Sequence, residues 1–291
     1  MGSIAVVGIT GNIGGRVARK LAAAGHDVVG LSRHPGAEAP GRIVAVDLRD
    51  ADAARKALAG VDGVYLTPPE GGATPLEDER AVGLNVIEAA KEAGVGHVVM
   101  HTALQADRGD TGARILNNKT VLETTLADSG TPYTILRPAW YLQNLFGAKP
   151  WLDQGMFSMP WAADMAWAAT DIEDIASLAA HFFEAGPANR GFDVHLPGGV
   201  TAAGIGAAVE AVTGRAVQYQ EAPSSRAAVD GYPISDVHKE LYAELFDYFR
   251  SRTYEGEPTA VTEAVPDFSY GTVEDFVSRE LYAAELAHAH R

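Results

Sequence analysis

The loop that follows the first predicted strand restricts the possible folds more than any other segment. The sequence Val6-Val7-Gly8-Ile9-Thr10-Gly11-Asn12-Ile13-Gly14 spaces three glycines as GxxGxxG, between an apolar run and an alanine-rich helical pattern. In such a loop Gly8 permits a tight turn, Gly11 allows a pyrophosphate to approach the backbone, and Gly14 brings the helix close to the sheet. The free N–H groups at the helix start would bind phosphate. A purely structural turn is the alternative. We expect cofactor contacts from Gly8, Thr10, Gly11, Asn12, Ile13 and Gly14.

The first half of the chain alternates short β-branched runs with amphipathic stretches, a pattern typical of βαβ units. We therefore predict an α/β protein with a doubly wound parallel-sheet Rossmann domain. The predicted strands are 3–7, 27–31, 42–46, 63–66, 97–102 and 133–136. The predicted helices in this half are 13–23, 50–58, 78–93 and 113–128.

This alternation of strand and helix patterns ends near residue 138. The chain is then rich in aromatic residues and proline, and after that increasingly helical. In this part we predict helices near 171–184, 201–213, 235–251 and 272–287, and a strand at 192–196. We assign residues 1–150 to an NADP-binding Rossmann domain, to which 171–200 would return. Residues 151–170 and 201–291 would form a smaller, mostly helical substrate-binding lobe.

The composition limits the partners and sites that the chain could have. It contains no cysteine, so thiolate metal sites and a cysteine nucleophile are excluded, and no metal site is predicted. The net charge of −15 argues against nucleic acid as a partner. No apolar run is long enough to span a membrane, and a strand begins at once at the N-terminus. We expect a cytoplasmic monomer or homodimer that acts on a small aromatic substrate.

The end of the second strand indicates which dinucleotide is bound. Ser32 and Arg33 stand about where an NAD site has a carboxylate for the ribose 2′-hydroxyl, and they suit a 2′-phosphate instead. A solvated surface arginine is the alternative, and we favour NADPH. After the third strand, Asp47 and Leu48 would border the adenine. Asp47 could accept a hydrogen bond from the adenine amino group, or it could be a loop or helix-capping carboxylate.

Four segments together resemble the NmrA-like group of atypical short-chain dehydrogenases/reductases. They are 8–14, Thr67-Pro68-Pro69, the run from Lys119 to Arg137-Pro138, and Asp171-Ile172-Glu173-Asp174-Ile175-Ala176. The resemblance implies a Rossmann fold, a bound nicotinamide cofactor, and cofactor contacts at Thr67, Pro68, Thr102, Lys119 and Pro138. It also implies catalytic roles for Lys119, which would hold the nicotinamide ribose, and for Thr102, which replaces the usual serine. Glu123, one turn after Lys119, could be its helical ion-pair partner.

The sequence departs from the pattern of typical family enzymes at the proton donor. Those enzymes carry Tyr-x-x-x-Lys, but Ile115 stands four residues before Lys119, and none of the ten tyrosines precedes a lysine at that spacing. The resemblance then implies either a reductase that works without the tyrosine or a non-catalytic NADP(H)-sensing regulatory protein. We predict an NADPH-dependent oxidoreductase that transfers hydride to a quinone or polycyclic aromatic ketone, with the proton supplied by water or by the substrate.

The tryptophans indicate where such a substrate would bind. All four lie between residues 140 and 167. A cluster of this kind suits a flat polycyclic ligand, although packing between lobes or a dimer interface is the alternative. The predicted substrate-binding residues are Trp140, Tyr141, Asn144 and Trp161.

Overall fold

The computed structural model describes residues 2–34, 36, 38–69, 75–232, 234–250 and 256–289 of the chain. The chain divides into two compact units. The first comprises Met1–Thr111, Ile115–Pro138 and Ile172–Asp193, and the second comprises Gly112–Arg114, Ala139–Asp171 and Val194–Arg291.

The chain leaves the first unit directly after Pro138, twelve residues earlier than the predicted boundary at 150. The reason is local pairing: Trp140 and Tyr141 form a short strand that pairs in parallel with Ala169 and Thr170 of the second unit.

The described residues contain eleven strands. They are β1 Ser3–Val7, β2 Asp27–Ser32, β3 Arg42–Ala45, β4 Gly63–Leu66, β5 His97–His101, β6 Tyr133–Pro138, β7 Trp140–Tyr141, β8 Met156–Phe157, β9 Ala169–Thr170, β10 Arg190–Val194 and β11 Gln218–Tyr219. Seven of them form one sheet in the order β10-β6-β5-β4-β1-β2-β3, and each neighbouring pair from β3 to β6 is parallel.

The helices are α1 Asn12–Ala23, α2 Ala51–Leu58, α3 Leu76–Glu92, α4 Arg114–Asp128, α5 Leu145–Leu152, α6 Ile172–Ala185, α7 Ala202–Thr213, α8 Ser225–Val229, α9 Asp236–Arg250, α10 Thr259–Ala264, α11 Val273–Phe276 and α12 Ala283–Ala289. A 3-10 turn spans Leu142–Asn144 and a π-helical turn spans Val277–Leu281. None of the helices that the structure describes is long and apolar enough to cross a membrane.

The strand order confirms the predicted doubly wound Rossmann fold. Every residue of β4 and β5 is buried, as expected for central strands that helices cover on both faces. The carboxyl ends of β1, β2 and β3 lie at one edge of this sheet. Ligands bind at this edge in open α/β sheets.

The second unit has its own apolar core, which includes Trp161, Trp167, Phe246 and Phe276. The prediction of one continuous helix near 272–287 is wrong in one respect, because the π-helical turn interrupts the helix. In this turn Arg279 donates a hydrogen bond of 2.5 Å to the buried carboxylate of Asp171, while Tyr282, just after it, is buried.

Candidate active site

The loop after β1 has the geometry that its three glycines predict. Gly8 has a φ of +73°, which favours glycine, and its carbonyl oxygen accepts a 2.9 Å hydrogen bond from the Gly11 amide. A Cβ at Gly14 would lie 2.3 Å from the same carbonyl oxygen, so no larger residue fits while α1 packs this closely. The loop is therefore tight at Gly8 and Gly14.

The start of α1 leaves its amides available to an anion. Gly11 is the N-cap residue and offers no side chain to accept from them. The side chain of Asn12, the first helical residue, accepts instead from Arg16 Nε at 3.0 Å. Backbone N–H groups at a helix start carry partial positive charge and bind phosphate oxygens. The residues present therefore fit the diphosphate of a dinucleotide.

A cavity of about 380 Å³ opens beside this loop, within the first unit. Its lining includes six of the residues predicted to bind the cofactor, which are Gly8, Thr10, Ser32, Arg33, Asp47 and Leu48. The other predicted cofactor residues are not among the lining, namely Gly11, Asn12, Ile13, Gly14, Thr67, Pro68, Thr102, Lys119 and Pro138. The sequence interpretation missed three polar lining residues, His34, Arg49 and Asp78.

The two arginines of this cavity differ in whether carboxylates bind them. Arg49 donates to both carboxylate oxygens of Asp47, at 3.0 Å to Oδ1 and 2.6 Å to Oδ2, and to Asp78 at 3.1 Å. The hydrogen bonds from Arg49 lower the pKa of Asp47 to about 2. Arg33 is exposed and forms no salt bridge with any residue that the structure describes. Arg33 is thus the cation that remains available to a phosphate group.

The same contacts bear on the two interpretations of Asp47. Its carboxylate accepts from the Arg49 backbone amide at 3.0 Å, in a local turn. The residue that caps α2 is Asp50, whose side chain accepts from the amides of Asp52 and Ala53. Asp47 is therefore a loop carboxylate and not a helix cap. A contact with adenine stays a prediction.

Replacing Arg33 with alanine should remove the preference for NADPH over NADH. We expect the unmodified protein to bind NADPH at least about tenfold more tightly, which is about 1.4 kcal/mol, because Arg33 pairs with the 2′-phosphate. Calorimetric titration with both nucleotides measures this ratio, and exposed Arg42→Ala serves as the control. Equal affinities in the unmodified protein would contradict the assignment.

Thr102 and Glu123 belong to a buried polar network in the first unit. Thr102 is 1% exposed and its hydroxyl donates to Glu123 Oε1 at 2.5 Å. Arg137 donates to both oxygens of the same carboxylate, with the shortest contact at 2.7 Å. Burial raises the pKa of Glu123, and Arg137 opposes that shift. Because the Thr102 hydroxyl donates its proton to Glu123, its oxygen can only accept a hydrogen bond from any other group.

Lys119 has a different partner from the one that its helix suggests. Its ammonium lies 2.5 Å from Glu79 Oε1, from α3. The interpretation of Glu123 as the helical ion-pair partner of Lys119 is wrong, because the Glu123 carboxylate pairs with Arg137 instead. Ile115 occupies the position of the missing tyrosine and is buried and apolar. No spacing pattern predicts the pairing of Lys119 with Glu79, because Glu79 lies 40 residues away along the chain.

A second cavity, of about 610 Å³, lies within the second unit. Of the predicted substrate residues, Trp140 and Asn144 line it, whereas Tyr141 and Trp161 do not. Trp161 is 4% exposed and packs edge-on against Phe246 in the core. None of the described residues that line this cavity carries a charge. They are Trp140, Asn144, Ala148, Trp151, Met156, Phe157, Ser158, Met159, Gln218, Tyr219, Gln220, Ala227, Ala228, Gly231 and Tyr232.

Two tyrosines in this lining were missed as candidates. Tyr219 donates its hydroxyl to the carbonyl oxygen of Met159 at 2.9 Å, and it also contacts the carbonyl oxygen of Trp161. Burial raises the pKa of Tyr219, and burial likewise raises that of Tyr232. Both shifts make the hydroxyl a weaker acid.

A parallel sheet of this order, with a glycine loop and a polar cavity at the carboxyl ends of its first strands, defines a Rossmann-type dinucleotide-binding protein. The model of the NmrA-like family matches residues 1–277, and the chain belongs to that family. The predicted resemblance is therefore confirmed.

Named relatives with similar sequences are reductases. An NAD(P)H azoreductase of Xenophilus azovorans is 31% identical over 255 residues, which cover 82% of this chain and 86% of the relative. Quinone oxidoreductase 2 of Escherichia coli is 30% identical over 226 residues, which cover 75% of this chain and 77% of the relative. The crystal structure of an NADPH-dependent quinone oxidoreductase from Escherichia coli, complexed with NADPH, matches with a TM-score of 0.79 and 25% identity, over 95% of this chain and 99% of that one.

Proposed function

We propose that this protein is an NADPH-dependent reductase of neutral, planar aromatic acceptors, namely quinones or polycyclic aromatic ketones. Its class is that of an NAD(P)H-dependent oxidoreductase, as for the azoreductase and the quinone oxidoreductase that it resembles. The observation that carries the finer proposal is the cavity of the second unit, which is aromatic and uncharged.

The first unit would hold the cofactor through its own residues. The amides at the start of α1 would bind the diphosphate, and Arg33 would bind the 2′-phosphate. Lys119 would hold the nicotinamide ribose, as the family resemblance implies. Bound NADPH supplies a hydride. A quinone that takes up this hydride and one proton becomes a hydroquinone, and the cofactor leaves as NADP⁺.

The second unit would select the acceptor. Trp140, Trp151 and Phe157 offer flat apolar surface for stacking on an aromatic ring. Asn144 and Gln218 offer amide donors for the oxygen of a quinone or ketone. The described lining residues include no arginine or lysine, so they give no compensation for desolvating a phosphate or sulfonate. The cavity therefore favours neutral acceptors over anionic ones.

The absence of a tyrosine acid fits acceptors that stabilise their own negative charge. A positioned acid typically contributes about 10²–10⁴-fold, so an ordinary ketone would be reduced slowly without one. A quinone places the incoming charge in an aromatic hydroquinone. A ketone beside a phenol can use that phenol as an internal donor. In both cases water can supply the remaining proton.

The test is a comparison of acceptors in an NADPH oxidation assay. We expect 1,4-naphthoquinone and a phenol-flanked aromatic ketone to be reduced at least about 10²-fold faster than an aliphatic ketone, because the aliphatic ketone lacks the acid that it needs. A 1,4-naphthoquinone that carries a sulfonate should have a higher KM than its neutral parent. Similar rates for all acceptors would contradict the proposal.

Tyr219→Phe and Tyr232→Phe are the matched variants for that assay, since both side chains line the cavity. Each should lower kcat for the quinone by less than about tenfold. A loss of the full factor of about 10²–10⁴ in either variant would identify a relocated acid, and the account based on substrate stabilisation would be wrong.

A further inference from the structure

Lys119 and Glu79 form an ion pair in the interior of the first unit. Their side chains are 1% and 2% exposed, and Nζ of Lys119 lies 2.5 Å from Oε1 of Glu79. The pair joins α3 to α4. Water solvates neither charge in this arrangement, so each needs compensation inside the protein, and the two opposite charges compensate each other.

The position of Glu79 ties this pair to the nucleotide cavity. Glu79 lies in the first turn of α3, and two other residues of the same segment, Pro75 and Asp78, line the cavity. Asp78 also accepts a hydrogen bond from Arg49 at 3.1 Å. The first turn of α3 therefore presents one carboxylate to the cofactor cavity and the next carboxylate to Lys119.

Polar and titratable side chains on the neighbouring elements have partners of their own. On α3, Arg80 donates to Asn118 at 2.7 Å. On α4, Glu123 binds Arg137 and Thr102. At the end of β5, His101 is within 3.1 Å of the Tyr65 hydroxyl, from β4. Among the carboxylates of these elements, Glu79 is the one whose oxygen lies 2.5 Å from the Lys119 ammonium.

In enzymes with Tyr-x-x-x-Lys, the lysine charge also acts on the tyrosine. Here Ile115 replaces that tyrosine and is 5% exposed, so the Lys119 charge has no phenol to act on. A buried ammonium without a counter-ion gives up its proton at a lower pH than an exposed lysine does. A carboxylate at 2.5 Å prevents this and fixes the direction of the side chain.

We propose that Glu79 is a positioning residue for the cofactor: its carboxylate keeps Lys119 charged and holds its ammonium where the nicotinamide ribose binds. This rests on the proposed role of Lys119 as the ribose ligand. Glu79 acts through Lys119 and need not contact the nucleotide. The chain thus uses a buried carboxylate to maintain the lysine that typical family members pair with tyrosine.

The test is the pH dependence of NADPH binding, measured by fluorescence titration between pH 7 and pH 9.5. The unmodified protein should show an affinity that changes by less than about threefold over this range, because Glu79 holds the proton on Lys119. Glu79→Gln should bind at least about tenfold more weakly at pH 9.5 than at pH 7, since its lysine loses charge. Glu92→Gln is the matched control, as Glu92 lies on the same helix and pairs with Arg55 at the surface. It should follow the unmodified protein.

Lys119→Met separates this proposal from the one on which it rests. It should weaken NADPH binding to the same extent at every pH, because no charge remains to titrate. If Lys119→Met binds like the unmodified protein, the ribose role of Lys119 is wrong. If Lys119→Met is weak but Glu79→Gln binds like the unmodified protein at every pH, the ribose role stands and the role of Glu79 is overturned.

Glu79→Asp decides the question if Glu79→Gln does not fold. It keeps the charge but retracts the carboxylate by one methylene group. We expect weaker binding that stays independent of pH over the same range. An affinity equal to that of the unmodified protein would mean that the placement of this carboxylate does not matter, and the proposal would be wrong.

Discussion

Gly11→Val is expected to abolish NADPH binding while the fold survives. Gly11 has φ −86° and ψ 170°, a conformation open to valine. A Cβ there would lie 3.2 Å from the Gly8 carbonyl oxygen, so the loop would have to move by a few tenths of an ångström. The added side chain would occupy the place where the diphosphate must approach the amides of α1. Calorimetry should show at least a hundredfold loss of affinity, about 2.7 kcal/mol, with the melting temperature changed by only a few degrees.

Two other glycines serve as controls for this result. Gly147→Ala, at a site in α5 where a Cβ meets nothing within 4 Å, should leave binding unchanged and should raise stability by about 0.5–1 kcal/mol, because alanine is the better helix former. Gly14→Val should destabilise the fold itself, because its Cβ would collide with the backbone of Gly8. If Gly11→Val binds NADPH as the unmodified protein does, the loop is only a structural turn.

Arg137→Met is expected to cost about 3–5 kcal/mol of unfolding free energy, because it leaves a buried carboxylate without its counter-ion. Arg137 donates to both oxygens of Glu123, and it also lies 3.1 Å from Asp107 and 3.8 Å from Asp193. Its removal therefore leaves the buried carboxylate of Glu123 without this cation, whereas the half-exposed Asp107 still has Arg108 at 3.9 Å. Urea unfolding measures the loss.

The pH dependence of that loss has a definite sign. Burial raises the pKa of Glu123, and removing Arg137 removes the group that opposes this shift. A raised carboxyl pKa means that the folded state binds the proton better than the unfolded state does, so the deficit should shrink as the pH falls. Arg226→Met, which breaks the exposed pair with Asp230, should change the free energy of unfolding far less, because solvent screens that pair. A similarly small loss in Arg137→Met would contradict the account.

Nearly all strands and helices of the first unit could be predicted from the sequence, because local signals encode them. Strands β1 and β4 begin and end at the predicted residues, since both are apolar runs bounded by polar or turn residues. The end of the helical pattern after 271 was harder to predict. The π-helical turn of this segment brings Arg279 into contact with Asp171, and these two residues lie 108 positions apart in the chain.

The candidate site divides in the same way between local and distant contacts. The glycine loop and Arg33 follow from residues close together in sequence. The partners of Lys119 and of Glu123 do not, because the helix gives each several residues within reach and only tertiary packing selects among them. The same holds for the tryptophans. Trp140 lines the cavity and Trp161 packs into the core, although both belong to one aromatic stretch.

A single-turnover measurement tests the central claim most directly. The protein is saturated with NADPH, mixed with excess neutral 1,4-naphthoquinone, and followed by the loss of nicotinamide absorbance. The account predicts that all bound NADPH is oxidised, and that Gly11→Val, which should not bind the nucleotide, reacts no faster than free NADPH. Tight NADPH binding without oxidation by this quinone or by a phenol-flanked aromatic ketone would contradict it, and would favour a protein that senses the nucleotide without using it.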